Sequence, residues 1–333
     1  MSQANQPGRR DSNTSETPTQ AEMRAAASTV TALVDSVSRP LVMPSSAVEL
    51  AVESLIAGGH VLLEDVPGTG KTTLARAIAK ASSGTTSRIQ LVADLLPSDL
   101  TGIGVFDQQT GVFVFRPGPI FANVVIADEI NRASPKTQSA LLEAMGEGRV
   151  SVDGATHALP DPFLVIATEN AVEMQGTYPL PEAQLDRFAC RISIGYPSAA
   201  DEASMLLAPI GYDPVAHVSQ ACELEELRQA RSTCARVYVS PKVADYVVRI
   251  LAATRGAPNV ALGASPRAGL TLLALARAHA LLDGRPAVFP EDVRELAVPV
   301  LSHRLILTDD QRGQKAAEQI VAELLTSIRP PRG

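Results

Sequence analysis

The sequence predicts an α/β chain in which a mostly parallel five-stranded sheet, covered by helices on both faces, is followed by a small all-α unit. Three observations predict it. Five short apolar runs, at residues 60–64, 88–91, 123–127, 163–168 and 189–194, alternate with helical stretches and hairpins. Strands interleaved with helices favour a parallel sheet with helices on its faces. A glycine-rich turn joins the first of these runs to a helix, and after Tyr196-Pro197 the strand pattern gives way to helices.

The elements follow in order. Residues 1–20 are polar and lack apolar periodicity, so they are expected to be a disordered tail. A helix is expected after Ser45 and Ser46, where Ser46 and Glu49 have capping-box spacing. Val48, Val52, Leu55 and Ile56 share one face of it, and Gly58-Gly59 stops it. Strand 60–64, the glycine-rich loop and a helix over 71–81 come next. Two hairpins interrupt the alternation. One spans 104–115 and turns at Gln109-Thr110-Gly111; the other spans 149–158 and turns at Asp153-Gly154. Each either extends the sheet or stands apart from it. Further on, a helix over 268–282 carries Leu272, Leu275 and Leu282 on one stripe and ends at Asp283-Gly284-Arg285-Pro286. Another starts at Pro290, a favourable first-turn residue, and is expected to bend or stop at Pro299. The expected organisation is a tail (1–20), an α/β core (21–197) and a helical unit (198–333).

Composition narrows the function. The 333 residues carry 29 Lys and Arg against 36 Asp and Glu, a net charge of −7, and 45% are apolar. Such a chain has ample core and is neither collagenous nor disulfide-stapled. Residues 1–199 hold 14 basic and 21 acidic side chains, and the remainder 15 of each. Neither part has the basic excess that a phosphate backbone attracts. No run approaches the roughly 18 apolar residues of a spanning helix, and the first twenty residues lack an apolar leader segment. Cys190, Cys222 and Cys234 are far apart and odd in number, which reads as buried, reduced thiols in a cytoplasmic protein. The five histidines show no metal-ligand spacing, and His279 on the apolar stripe reads as a hydrogen-bonded core residue.

The chemistry concentrates in EDVPGTGKTT, Glu64 to Thr73. Gly68 and Gly70 let backbone amides turn inward, and with the N-terminus of the next helix they form an anion cradle. The cradle comprises Asp65, Val66, Pro67, Gly68, Thr69, Gly70, Lys71, Thr72 and Thr73. Lys71 places a cation on the β- and γ-phosphates, and the Thr72 hydroxyl suits Mg²⁺. The strict P-loop pattern has glycine where this chain has Asp65. The stretch VVIADE ends an apolar strand in paired acids, 57 residues beyond Lys71. Such a strand is expected beside the P-loop strand, with Asp128 holding Mg²⁺ through water and Glu129 polarising the attacking water. Asn170 ends the next strand, either to hold that water or the γ-phosphate, or as a turn residue. Arg187 in LPEAQLDRF reads either as a cation for a neighbouring subunit's γ-phosphate or as half of a surface ion pair with Asp186 or Glu182. Arg267 in GASPRAG opens a helix, where its charge opposes the dipole, so it faces an anion or is a surface residue.

Taken together, EDVPGTGKTT, IQLVADLLPSDLTG, FRPGPIFANVVIADEINRASPKTQSALLEAM, ATEN, TYPLPEAQLDRF and SPRA resemble the MoxR family of AAA+ ATPases, over about residues 40–310. The resemblance implies a P-loop NTPase αβα core with a helical lid. It implies ATP and Mg²⁺ at subunit interfaces of a ring, usually a hexamer. Lys71 and Thr72 match Walker A, Asp128 and Glu129 Walker B, Asn170 sensor 1, Arg187 the arginine finger and Arg267 sensor 2. The two hairpins resemble insertions that face the central pore in related rings. Where the family often reads ATQNP, this chain has ATEN followed by Ala171, which adds Glu169 near the site.

The expected activity is therefore Mg²⁺-dependent ATP hydrolysis that remodels or matures a protein client, chaperone-like, with a von Willebrand A-domain protein as a candidate partner. The other readings are a nucleic-acid motor, which the charge balance disfavours, and an ATP-binding scaffold without turnover.

Overall fold

The computed structural model describes residues 17–64, 70–169, 177–196, 198–207, 209, 211–308 and 313–331. Two helices come first, α1 (Gln20–Ser38) and α2 (Ser45–Ala57). The α/β part follows: β1 (Val61–Glu64), α3 (Lys71–Ala81), β2 (Thr86–Gln90), α4 (Pro97–Thr101), β3 (Gly102–Asp107), β4 (Val112–Pro117), β5 (Val124–Asp128), α5 (Pro135–Glu147), β6 (Arg149–Val152), β7 (Ala155–Ala158), β8 (Leu164–Glu169), α6 (Glu182–Leu185) and β9 (Cys190–Ile192). The rest is mainly helical: α7 (Ala199–Leu207), α8 (Leu224–Ala235), α9 (Pro241–Gly256), β10 (Val260–Leu262), α10 (Pro266–Leu282), α11 (Pro290–Leu301), β11 (Ile306–Leu307) and α12 (Gly313–Ser327).

The central sheet has five strands in the order β2-β5-β8-β1-β9, and every pairing in it is parallel. All five expected strands are present. Side chains alternate across a strand, and the core divides accordingly. Val61, Leu63, Val124, Ile126, Leu164 and Ile166 enter one apolar cluster. Leu62, Val125, Ala127, Val165 and Ala167 enter a second, under Leu141, Leu142 and Met145 of α5. Such strands are apolar on both faces, which is why they read as continuous runs in the sequence. The first cluster continues without interruption through α1, α2 and α3 into α8–α12.

Several expectations need correction. Of the expected tail, residues 1–16 lie outside the described residues, and the chain enters α1 at Gln20, capped by Thr19 and Glu22. The spacing of Ser46 and Glu49 does not form a box: α2 begins two residues earlier, at Ser45 after Pro44, with no side-chain cap. Gly58 ends α2 in the left-handed region (φ 73°), a conformation without penalty for glycine. Helix α11 runs through Pro299 to Leu301. The proline removes one hydrogen bond, to the Glu295 carbonyl, and the burial of Val300 and Leu301 just after it offsets that loss. Both hairpins stand apart, β3 with β4 and β6 with β7, and neither joins the sheet. The three cysteines are free and buried. Among the described residues, no helix is long and apolar enough to cross a membrane.

Candidate active site

Parallel strands converge their carboxyl ends on one edge of a sheet, and ligands of open α/β folds bind there. In this chain that edge opens into a cavity of about 370 Å³. Its wall combines the start of α3 (Gly70, Lys71, Thr72 and Thr73), the ends of β2 (Arg88 and Gln90) and β5 (Asp128 and Glu129), and the end of β8 (Thr168 and Glu169). Gly70 caps α3 with φ 87°, a value that only glycine adopts freely. Lys71 and Thr72 therefore sit on the first turn, where backbone amides and the helix dipole favour an anion.

The strand order changes one expectation. The acid-bearing strand β5 is not adjacent to β1, because β8 lies between them. That intervening strand brings Thr168 between the two acids. Its hydroxyl accepts from the Glu129 amide at 2.9 Å and donates to Asp128 Oδ1 at 3.4 Å. Glu129 itself has φ 57° and ψ 54°, a left-handed conformation unusual for a residue with a side chain. Its carboxylate accepts from Gln90 Nε2 at 2.9 Å and pairs with Arg132 at 3.2 Å. Asp128, largely buried, pairs with Arg88 Nε at 2.7 Å. The register explains the match: Arg88 and Gln90 lie on one face of β2, and Gln90 is the pairing partner of Asp128. An alternating Arg-Ile-Gln run at a strand end was the available signal for these two residues, which the motif reading missed. Glu169 is raised above the usual carboxylate range because burial disfavours its charge; Arg191 opposes that shift and Glu64 adds to it.

The other anticipated residues divide. Arg187 does not line the cavity; it is half-buried and donates to the carbonyl of Leu142 on α5 at 2.8 Å. Asp186 does not hold it, since Asp186 pairs at 2.9 Å with Arg304, just after α11. Arg304 also donates to the carbonyls of Asp186 and Phe188, so it grips the backbone on both sides of Arg187. Burial lowers Arg304 to about 10. Arg267 is exposed in the first turn of α10, whose cap Ser265 reaches Asp186 at 3.4 Å, and it too lies outside the cavity. Asp65, Val66, Pro67, Gly68, Thr69 and Asn170 lie outside the described residues.

His279 is hydrogen-bonded as expected, and so is the buried His60. Burial lowers His60 to about 4, and its ring bridges Met145 and Val165 within the fold at 3.0 Å each. His279, Asp283 and Asp292 come close together. However, Glu53 holds the His279 ring at 2.7 Å and Arg285 pairs with both aspartates, so the group is a charge network complete in itself.

The hard oxygen donors Asp128 and Thr72 on one wall suit Mg²⁺, and a cation at a helix start suits a phosphate chain. This fold and site define an AAA-type ATPase with a helical lid. Residues 60–190 match the model of the ATPase family associated with various cellular activities (AAA), and residues 252–324 match the AAA lid domain. The chain is 45% identical over 299 residues to the uncharacterized protein YeaC of Bacillus subtilis (strain 168), covering 90% of this chain and 93% of that one. It is 43% identical to Chaperone MoxR1 of Mycobacterium tuberculosis (86% and 78% covered) and 33% identical to Protein MoxR of Paracoccus denitrificans (78% and 84%). A crystal structure of a "putative ATPase" from Cytophaga hutchinsonii superposes with a TM-score of 0.86 at 33% identity, covering 94% of this chain and 98% of that one. The chain belongs to the MoxR family of AAA+ ATPases.

Proposed function

We propose that this protein hydrolyses MgATP between the subunits of a ring, a hexamer by family resemblance, to remodel or mature a protein client in the cytoplasm. The observation that carries this reading is the cavity itself, where Lys71 and Thr72 at the start of α3 meet Asp128 and Glu129 at the end of β5. The proposed division of labour is an ATPase core over 21–197 and a lid over 198–333.

The start of α3 and Lys71 bind the phosphate chain. Thr72 and Asp128 hold Mg²⁺, the latter once Arg88 yields or shares its carboxylate. When bound, Mg²⁺ neutralises charge on the phosphates. Glu129 orients a water and takes its proton as the water oxygen bonds to the γ-phosphorus and the bond to ADP breaks. The Thr168 hydroxyl and the Gln90 amide keep that carboxylate aimed. Asn170 is assigned to the same water or to the γ-phosphate, Arg187 to a neighbour's γ-phosphate, and Arg267 to lid sensing. The hairpin β3–β4 leaves Phe106 and Phe113 exposed, the latter by 73%, which suits contact with an unfolded protein segment better than with nucleic acid. A von Willebrand A-domain protein is a candidate client.

Glu129→Gln keeps the side-chain shape and removes the base. It is expected to bind MgATP with near wild-type affinity and to lose about 10²–10⁴ in turnover. Calorimetry with a phosphate-release assay checks this, and a variant still turning over at the wild-type rate removes Glu129 from the mechanism.

A further inference from the structure

Beside the cavity, a cluster of charges remains that the steps above do not use. Strands β1 and β8 run parallel with Glu64 in register with Glu169, so the two carboxylates project side by side on one face. Like charges at facing positions repel, and both are largely buried, with side-chain exposures of 26% and 17%. The counter-charge comes from the next strand. Arg191 on β9 is in register with Leu62, two residues before Glu64 and therefore on the same face. Its Nη2 pairs closely with Glu64 and stands 4.0 Å from Glu169. Its Nη1 donates to Gln314 Oε1 at 3.0 Å, and Gln314 is in turn tied to Ser302 at 2.9 Å. A guanidinium can serve three acceptors from one rigid plane, which a lysine cannot. Glu169 also lines the cavity. An uncompensated carboxylate there would face the nucleotide's terminal phosphate, charge against charge.

We propose that Arg191 is a positioning residue for ATP turnover, holding the Glu169 carboxylate in a shared pair with Glu64 so that it does not oppose the phosphates of the bound nucleotide. The proposal rests on the ATPase reading and names a residue of the edge strand that does not itself line the cavity. It explains how this chain carries an acid at the end of the sensor strand: the acid comes with a partner.

The test is steady-state ATP hydrolysis and a thermal melt for wild type, Arg191→Met, Arg191→Lys, Glu169→Gln and the combinations of each Arg191 variant with Glu169→Gln or Glu64→Gln. Arg191→Met is expected to raise KM for ATP about 10- to 100-fold, with a smaller change in kcat, because the added repulsion acts on bound nucleotide and transition state alike. Adding Glu169→Gln is expected to return KM to within about threefold of the Glu169→Gln single variant, since removing the acid removes the need for its partner. Adding Glu64→Gln is expected to restore much less. If Arg191→Met does not fold, Arg191→Lys carries the comparison, with a smaller rise in KM that Glu169→Gln again removes. A KM that stays raised in both Glu169→Gln combinations, or equal rescue by Glu64→Gln, reduces Arg191 to a structural tie and overturns the proposal. Wild-type protein with no ATP turnover overturns the ATPase reading and this inference with it; turnover without rescue overturns the inference alone.

Discussion

Glu129 occupies a backbone conformation that costs of order 1–3 kcal/mol for a residue with a side chain, and three neighbours hold it there. Thr168 takes its amide, Gln90 and Arg132 take its carboxylate, and the short 3₁₀ turn over Ile130–Arg132 follows at once. The result is an acid aimed into the cavity. Lys71 is the complementary case, a cation placed by the first turn of a helix. Lys71→Ala is expected to weaken MgATP binding by at least about tenfold, because the loop then offers the phosphates only amides and hydroxyls. Calorimetric titration of the variant checks this, and wild-type affinity would remove the Walker A assignment. Both residues were legible in the sequence because each stands in a motif whose spacing is tied to its chemistry. Thr168 and Arg191 were not, and of Arg88 and Gln90 the sequence showed only the alternating run that carries them. Their roles depend on which strands are neighbours, and the insertion of β8 between β5 and β1 is a property of the sheet that no local spacing encodes.

Among the elements, the strands were the most legible, since a strand buried on both faces leaves an apolar run. The capping of α2 and the passage of α11 through Pro299 were not: the first depends on where a helix starts to within two residues, and the second on burial of Val300 and Leu301 offsetting the hydrogen bond that the proline removes. Nor was the partnership of α2 with α10. Glu53 on α2 is buried at 3% side-chain exposure and receives the His279 ring of α10 at 2.7 Å, with Glu295 of α11 at 3.6 Å on the other nitrogen. The hydrogen bond to Glu53 leads the causes that raise His279 to about 9, against the cost of burial. Glu53 is raised as well, because burial outweighs what His279 gives it. Both groups thus hold protons more firmly in the folded chain than in the unfolded one. By linkage, the contribution of His279 to stability is fully present below its unfolded value of about 6.5 and is lost as pH rises through about 9, while that of Glu53 is fully present only below its unfolded value of about 4.5. Wild type is expected to lose stability over that window, and His279→Ala to be less stable at pH 6 by about 3 kcal/mol, the lower end for a broken buried pair because Glu53 escapes part of the cost by taking a proton. Urea denaturation of both proteins at pH 6 and pH 9 checks this; the gap between them should narrow at the higher pH, and a constant gap would remove the pair as its source.

At the scale of the molecule, one chain brings Lys71, Thr72 and two acids to one cavity but keeps Arg187 elsewhere. That guanidinium rests on the Leu142 carbonyl, while Arg304 fixes the backbone around it from the helical part. A cation so held, outside its own subunit's cavity, is suited to another subunit's nucleotide, and a planar fork suits developing phosphoryl charge. Fingers of this kind are worth roughly 10³–10⁵ in rate, about 4–7 kcal/mol. Arg187→Ala is therefore expected to bind MgATP nearly as wild type does and to lose most turnover. If the finger acts in trans, two inactive proteins should complement each other: in a mixture of Arg187→Ala and Lys71→Ala subunits, some interfaces pair an intact cradle with an intact Arg187. Specific activity of wild type should also rise with protein concentration as subunits assemble, which light scattering can follow in the same samples. A monomer that hydrolyses ATP at the full rate when dilute, together with no recovery on mixing, would mean that each subunit completes its own site, and neither the trans-acting Arg187 nor the functional ring would stand.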